Sequence, residues 1–130
     1  MKTAVRIVIV VALVVTVAAA LFTARMMVMG RRLSAGLAAI EPVDLSAVAD
    51  GSYTAEFGDF LVRARVQVTV RHGRITEVTI LHQESGPGYE ATETLDRIVA
   101  AQSPRVDAVS GATGSSNTIM VAVYRALTDH

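Results

Sequence analysis

The chain has 130 residues, room for one small domain with a single core. Twelve basic residues balance twelve acidic ones, which argues against a nucleic-acid partner, and the lack of cysteine excludes disulfides, thiolate metal sites and cysteine-ligated iron–sulfur clusters. The charge is unevenly placed: residues 1–49 hold Lys2, Arg6, Arg25, Arg31 and Arg32 against Glu41 and Asp44, a net of +3, so the remainder carries −3.

Between Arg6 and Arg25 lie eighteen uncharged residues, IVIVVALVVTVAAALFTA. As a helix they span roughly 27 Å, close to a hydrocarbon core of about 30 Å. Arginines at both ends can snorkel to headgroups, and Met26 to Met29 lengthen the apolar run if the helix tilts. A single-pass transmembrane helix, in contact with membrane lipid, is the direct reading. A cleaved signal peptide is the rival, because Lys2 and Arg6 make a basic start and Ala18-Ala19-Ala20 offers small residues for cleavage. The apolar run is longer than a signal core and continues through Leu21 and Phe22, so an uncleaved signal anchor over residues 1–30 is preferred. Basic residues flank both ends, so charge gives no orientation. Residues 31–49 read as a spacer in which the helix continues to about Ile40 and stops at Glu41-Pro42.

From residue 50 to 130 the sequence reads as one soluble domain, and its first part has a strand period. In GSYTAEF, Tyr53, Ala55 and Phe57 share one face before Gly58-Asp59 turns the chain. Val62, Ala64, Val66, Val68 and Val70 then alternate with Arg63, Arg65, Gln67, Thr69 and Arg71, the pattern of a strand buried on one face. The basic stripe is a solvated face or, alternatively, meets an acidic partner or a cofactor phosphate. His72-Gly73 marks a tight hairpin, and RITEVTILH returns with Ile75, Val78, Ile80 and Leu81 apolar.

SGPG at 85–88 ends the sheet. YEATETLDRIVAAQ places Tyr89, Leu95, Ile98 and Val99 on the inner face of a helix closed by Ser103-Pro104. In NTIMVAVYRAL, Ile119, Met120, Val123, Tyr124 and Leu127 follow helical spacing, with Met120 and Tyr124 read as core. Helices on one face of an antiparallel meander make a small α+β fold. His72, His82 and His130 read as a turn residue, a strand end and a terminus; they share no ligand spacing, and no metal site is expected. No catalytic residue is assigned.

Before the last helix stands DAVSGATGSS, residues 107–116. Ser115 and Ser116 occupy the positions expected of an N-cap. A helix start also presents unpaired N–H groups and partial positive charge, and Gly111, Ala112 and Gly114 leave the backbone open to an anion. Residue types alone therefore fit a phosphate cradle or a plain helix cap. A nucleotide-hydrolysing loop is excluded, since no lysine follows the glycines, and no histidine lies near Ser110 or Thr113 in sequence to activate a nucleophile.

This run resembles the flavinylation motif of the FMN-binding domain family, the domain shared by flavin subunits of sodium-pumping NADH:quinone oxidoreductase and of Rnf-type complexes. The family's pattern is an acidic residue, two variable positions, then Ser/Thr-Gly-Ala-Ser/Thr, matched by Asp107, Ser110, Gly111, Ala112 and Thr113. The DGSYTAEF entry, the hairpin and the helix before the motif extend the likeness over about residues 42–128, and the anchor ahead of them matches the family's short, membrane-anchored members. Ala55 departs from it, standing where the family more often has glycine, which touches the local strand shape. The resemblance implies FMN as cofactor, held by a phosphoester to Thr113 that a separate flavin transferase makes from FAD outside the cytoplasm. Asp107 and the segment Ser110, Gly111 and Ala112 then form the loop that the transferase recognises, and Ser115 and Ser116, at the phosphate-attracting helix start, join them as expected cofactor-binding residues. It implies an extracytoplasmic electron carrier serving membrane redox partners rather than a stand-alone enzyme. A noncovalent FMN or phosphate-ligand module or sensor, and an adaptor domain without cofactor, are the alternatives.

Overall fold

The computed structural model describes residues 1–59, 61–86, 88 and 90–129, with Asp59 described by its backbone only. Tyr89 and His130, both named above, lie outside the described residues. The chain forms helix α1 (Lys2–Ala38), strands β1 (Gly51–Asp59), β2 (Val62–Arg71) and β3 (Arg74–Glu84), and helices α2 (Glu93–Ala101) and α3 (Thr113–Thr128). The strands make one antiparallel sheet in the order β1-β2-β3, and α3 packs on β2 and β1 while α2 packs on β3. The architecture is α+β, as the periodicities require.

Strand β2 is the spine of the core. Ala64, Val66, Val68 and Val70 are all buried, and the alternating arginines and polar residues face away. Phe57 is buried beside them, with Tyr53 and Ala55 partly covered on the same face of β1. Strand β1 runs on through Gly58 and Asp59, one step beyond the turn expected there. On the outer face Glu56 lies opposite Arg65 and accepts from both Arg65 and Arg63, at 3.0 and 3.4 Å. The acidic partner of the basic stripe is thus its neighbour in the sheet, in exposed pairs of a kind that contribute about 0–1 kcal/mol.

Strand β3 does not alternate cleanly, and its register says why. The pairing with β2 shifts between Arg65 and Val66 and between Thr69 and Val70, leaving Leu81 and Thr76 without a partner across the ladder. The two bulges bring Ile75 and Val78 to the core face although they are an odd three positions apart, and turn Leu81 outward, where it is exposed. His72 and Gly73 both take positive φ, 53° and 72°, as a two-residue hairpin turn demands.

Helix α2 is shorter than its sequence pattern. Ala91 at φ 56° breaks the helical path before it, and Gln102, at φ 53° in the left-handed region, ends the helix ahead of Ser103-Pro104. The Gln102 side chain then behaves like a strand backbone: Oε1 accepts from the Ile75 N–H at 2.7 Å and Nε2 donates to the Ile75 carbonyl at 2.8 Å. Those bonds fasten α2 to β3. Ile98 of α2 and Ile119, Met120, Val123 and Leu127 of α3 complete the core, and Tyr124 is half-buried against it.

Helix α1 is unbroken over 37 residues, about 56 Å. Among the described helices it is the one long and apolar enough to cross a membrane. Residues up to Arg25 are exposed throughout, whereas Met26, Met29, Leu33, Gly36 and Leu37 turn toward the domain. At Gly36 helix α1 lies close against β1 and α3, where a Cβ would meet Phe57 Cζ at 3.1 Å and Val121 Cγ1 at 3.2 Å. The helix ends at Ala38, and the segment after it is not slack: Ile40 and Val48 are buried in the core and Val43 and Leu45 pack beside them.

Candidate functional site

The loop between α2 and α3 is held at several points. Arg97 Nη1 donates to the carbonyls of Asp107 and Ala108 at 2.9 and 3.1 Å. Ser116 Oγ accepts from the Val109 N–H at 2.9 Å and donates to the Ala112 carbonyl at 2.8 Å, and the Ala112 N–H closes a turn onto Val109. Arg105 reaches across to the Leu37 carbonyl at 3.2 Å, tying the loop to the end of α1. The sequence motif is therefore a fixed structure, clamped from α2, α3 and α1.

Its exit is the start of α3, and here the expected cap differs from the observed one. The helix begins at Thr113, its N-cap is Ala112, and no side chain caps it. Ser115 and Ser116 lie inside the first turn, 4% and 0% exposed, because Ser116 is turned inward to staple the loop. The N–H groups of Thr113, Gly114 and Ser115 thus precede the first helical bond, from Ser116 to Ala112, and have no side-chain acceptor among the described residues. An uncapped helix start of this kind concentrates donors and positive partial charge at one point.

Thr113 stands at that point, exposed, and its hydroxyl makes no hydrogen bond among the described residues. Ser110 and Gly111 are exposed beside it, Ala112 is 8% exposed, and Asp107 is exposed with its backbone carbonyl, not its carboxylate, bound by Arg97. Gly111 adopts φ 80°, which a residue with a Cβ rarely tolerates, and open space surrounds it and Gly114. The structure groups Ser110, Gly111 and Thr113 at the surface, buries Ala112, Ser115 and Ser116 behind them, and sets Asp107 at the clamped entry of the loop.

Next to Gly114 a cavity of about 60 Å³ opens between three elements. Met29, Arg32 and Leu33 come from α1, Phe57, Gly58 and Val62 from the β1–β2 hairpin, and Gly114 and Thr118 from α3. The outer side of Phe57 is fixed by Arg125, whose guanidinium carbon sits 4.6 Å from the ring centroid. Unpaired donors for an anion, a free hydroxyl and an apolar recess adjoin one another.

The family described as FMN-binding domain matches residues 63–128, just over half of the chain, from the start of β2 to the end of α3. The chain belongs to the FMN-binding domain family. FMN is accordingly its cofactor, and the residues fit that ligand: a phosphate suits the uncapped helix start and an apolar ring edge suits the recess. Among solved structures, the fold is similar to that of the CPE2226 protein from Clostridium perfringens, with a TM-score of 0.52 at 22% identity over 63% of this chain and 88% of that one. At that identity the likeness speaks for the fold alone. No curated protein matches the chain. Among the described residues, no group of three or more histidines and carboxylates is placed to hold a metal.

Several residues that shape this FMN-binding domain escape a reading by motif. Arg97 sits on the outward side of an amphipathic helix and reads as solvated, although it holds two carbonyls of the loop. Met29 and Leu33 read as an extension of the apolar run and as spacer. A signal for them exists: Met26, Met29, Leu33, Leu37 and Ile40 recur at steps of three and four, the stripe of a helix packed against protein rather than lipid.

Proposed function

We propose that this chain is a membrane-anchored flavin carrier in which FMN is joined through its phosphate to Thr113 Oγ. The observation that carries the reading is the uncapped start of α3, with an exposed threonine hydroxyl among free N–H donors. Attachment from FAD forms an Oγ–P bond, breaks the pyrophosphate bond, releases AMP and takes the proton from the Thr113 hydroxyl, in the active site of a flavin transferase. The clamped loop from Asp107 to Ala112 presents that hydroxyl; Ser116 acts from behind it by holding the turn, and Ser115 is buried beside it.

FMN supplies the capacity to accept and pass on electrons, and the protein supplies its place and surroundings. A covalent tether keeps the cofactor on the protein independently of affinity, which suits a domain facing a dilute extracytoplasmic space. In this reading residues 1–30 anchor the chain, 31–49 join anchor to domain, and 50–130 carry the flavin between a membrane reductase and an extracytoplasmic acceptor. The side of the membrane rests on the resemblance, because charge flanks both ends of the span; protease protection in sealed vesicles tests it, with digestion from the outer side expected.

Intact mass of the full chain, produced with and without a flavin transferase, tests the attachment. The expected result is a gain equal to FMN less water only with the transferase, kept in Thr113→Ser and lost in Thr113→Ala. Attachment persisting in Thr113→Ala overturns the site. Flavin that leaves on denaturation supports the noncovalent reading, for which the same free N–H groups would hold the phosphate.

A further inference from the structure

The recess beside Gly114 is walled on one side by the helix that carries the membrane span. We propose that α1 is part of the cofactor site: Met29 and Leu33 pack against the apolar edge of the flavin ring, opposite Phe57 and Val62. The inference rests on attachment at Thr113 and adds where the ring goes. The match to the FMN-binding domain begins at residue 63, so neither α1 nor Phe57 is included in it.

Position and chemistry point the same way. Gly114, one residue beyond the attachment point, lines the recess, so a ring tethered through ribityl and phosphate reaches it without crossing the domain. The cavity is small, about 60 Å³, and open on one side, so the ring enters it by one edge. Its walls are mostly hydrocarbon and thioether, so the methyl-bearing benzenoid edge enters, while the pyrimidine edge, which needs hydrogen-bond partners, stays in the open. The recess exists only while α1 is docked, and the docking depends on the close approach at Gly36.

The location also fixes a height. Met29 and Leu33 lie about 6 and 12 Å along the helix beyond Arg25, the last residue of the exposed run. The ring is thereby held next to the membrane surface, by the element that defines where that surface is.

The chain contains no tryptophan, which permits a contact ruler, since tryptophan quenches flavin fluorescence only at close range. Full-length flavinylated protein in lipid nanodiscs is compared as wild type, Met29→Trp, and Val14→Trp placed about 22 Å away along the same helix. Intact mass first establishes that all three carry covalent flavin. The expected result is flavin emission at least severalfold lower in Met29→Trp and unchanged in Val14→Trp. Leu33→Ser supplies the converse: flavin mass retained, and quenching of the ring by iodide severalfold more efficient than in wild type. Covalent flavin whose emission ignores Met29→Trp and whose iodide quenching ignores Leu33→Ser overturns the wall and leaves the attachment standing. Loss of Thr113-dependent mass in the wild type overturns both.

Discussion

The two halves of α1 are built from similar residues and meet different surroundings. From Lys2 to Arg25 every side chain is exposed, and apolar residues occupy all sides of the helix; from Met26 to Ala38 one stripe of Met26, Met29, Leu33 and Leu37 is partly covered, while Met27, Val28, Arg31 and Arg32 stay exposed. One half is long and apolar enough to suit a lipid solvent on every side, the other meets protein on one face. The difference teaches that total hydrophobicity locates the span, whereas the arrangement of apolar residues locates the domain, within one unbroken helix.

Crossed charge substitutions break the comparison most severely. An aspartate at the centre of a spanning helix costs about 2.5–3.5 kcal/mol. Val11→Asp with Val14→Asp should move the chain out of the carbonate-resistant membrane fraction while the sheet still folds, as read by protease resistance of the domain. Leu33→Asp with Leu37→Asp should do the reverse, leaving the chain in the membrane and the domain open to protease.

The next effect is steric. Gly36→Leu drives a side chain into Phe57 and Val121, and overpacking of this sort costs about 1–3 kcal/mol, measurable as a lower urea midpoint. Ser116→Ala removes the hydroxyl that joins Val109 to Ala112 and should cost about 1–2 kcal/mol, with faster amide exchange at Val109. Smallest and opposite in sign is Gly30→Ala. Nothing lies within 4 Å of that position, so the exchange should stabilise the helix by about 0.5–1 kcal/mol in the same titration.

Much of the sheet was legible before any coordinates. The alternation in β2 is strict because one face is buried along its whole length, and His72-Gly73 announces its turn. Strand β3 was legible only as apolar content, since a bulge at Thr76 and another at Leu81 shift the period in ways that depend on the partner strand. The site divides similarly. Thr113 and its neighbours came from a motif, but the cap did not: Ser115 and Ser116 have the right chemistry for capping, and tertiary contacts drew Ser116 inward, so that the helix starts earlier and bare. Arg97 and Gln102 carry no local signal, because what they bind is backbone far along the chain.

The hydrogen bond from Arg105 to the last turn of α1 has a mechanical meaning. With the loop latched to that end of the helix and Gly36 seated against α3, the domain and the span turn together as one lever. In the proposed anchored state, a bilayer of different thickness, which alters the tilt of the span, would carry the Thr113 loop with it. Under the proposed attachment at Thr113, lipid composition would then bear on the direction in which the flavin faces.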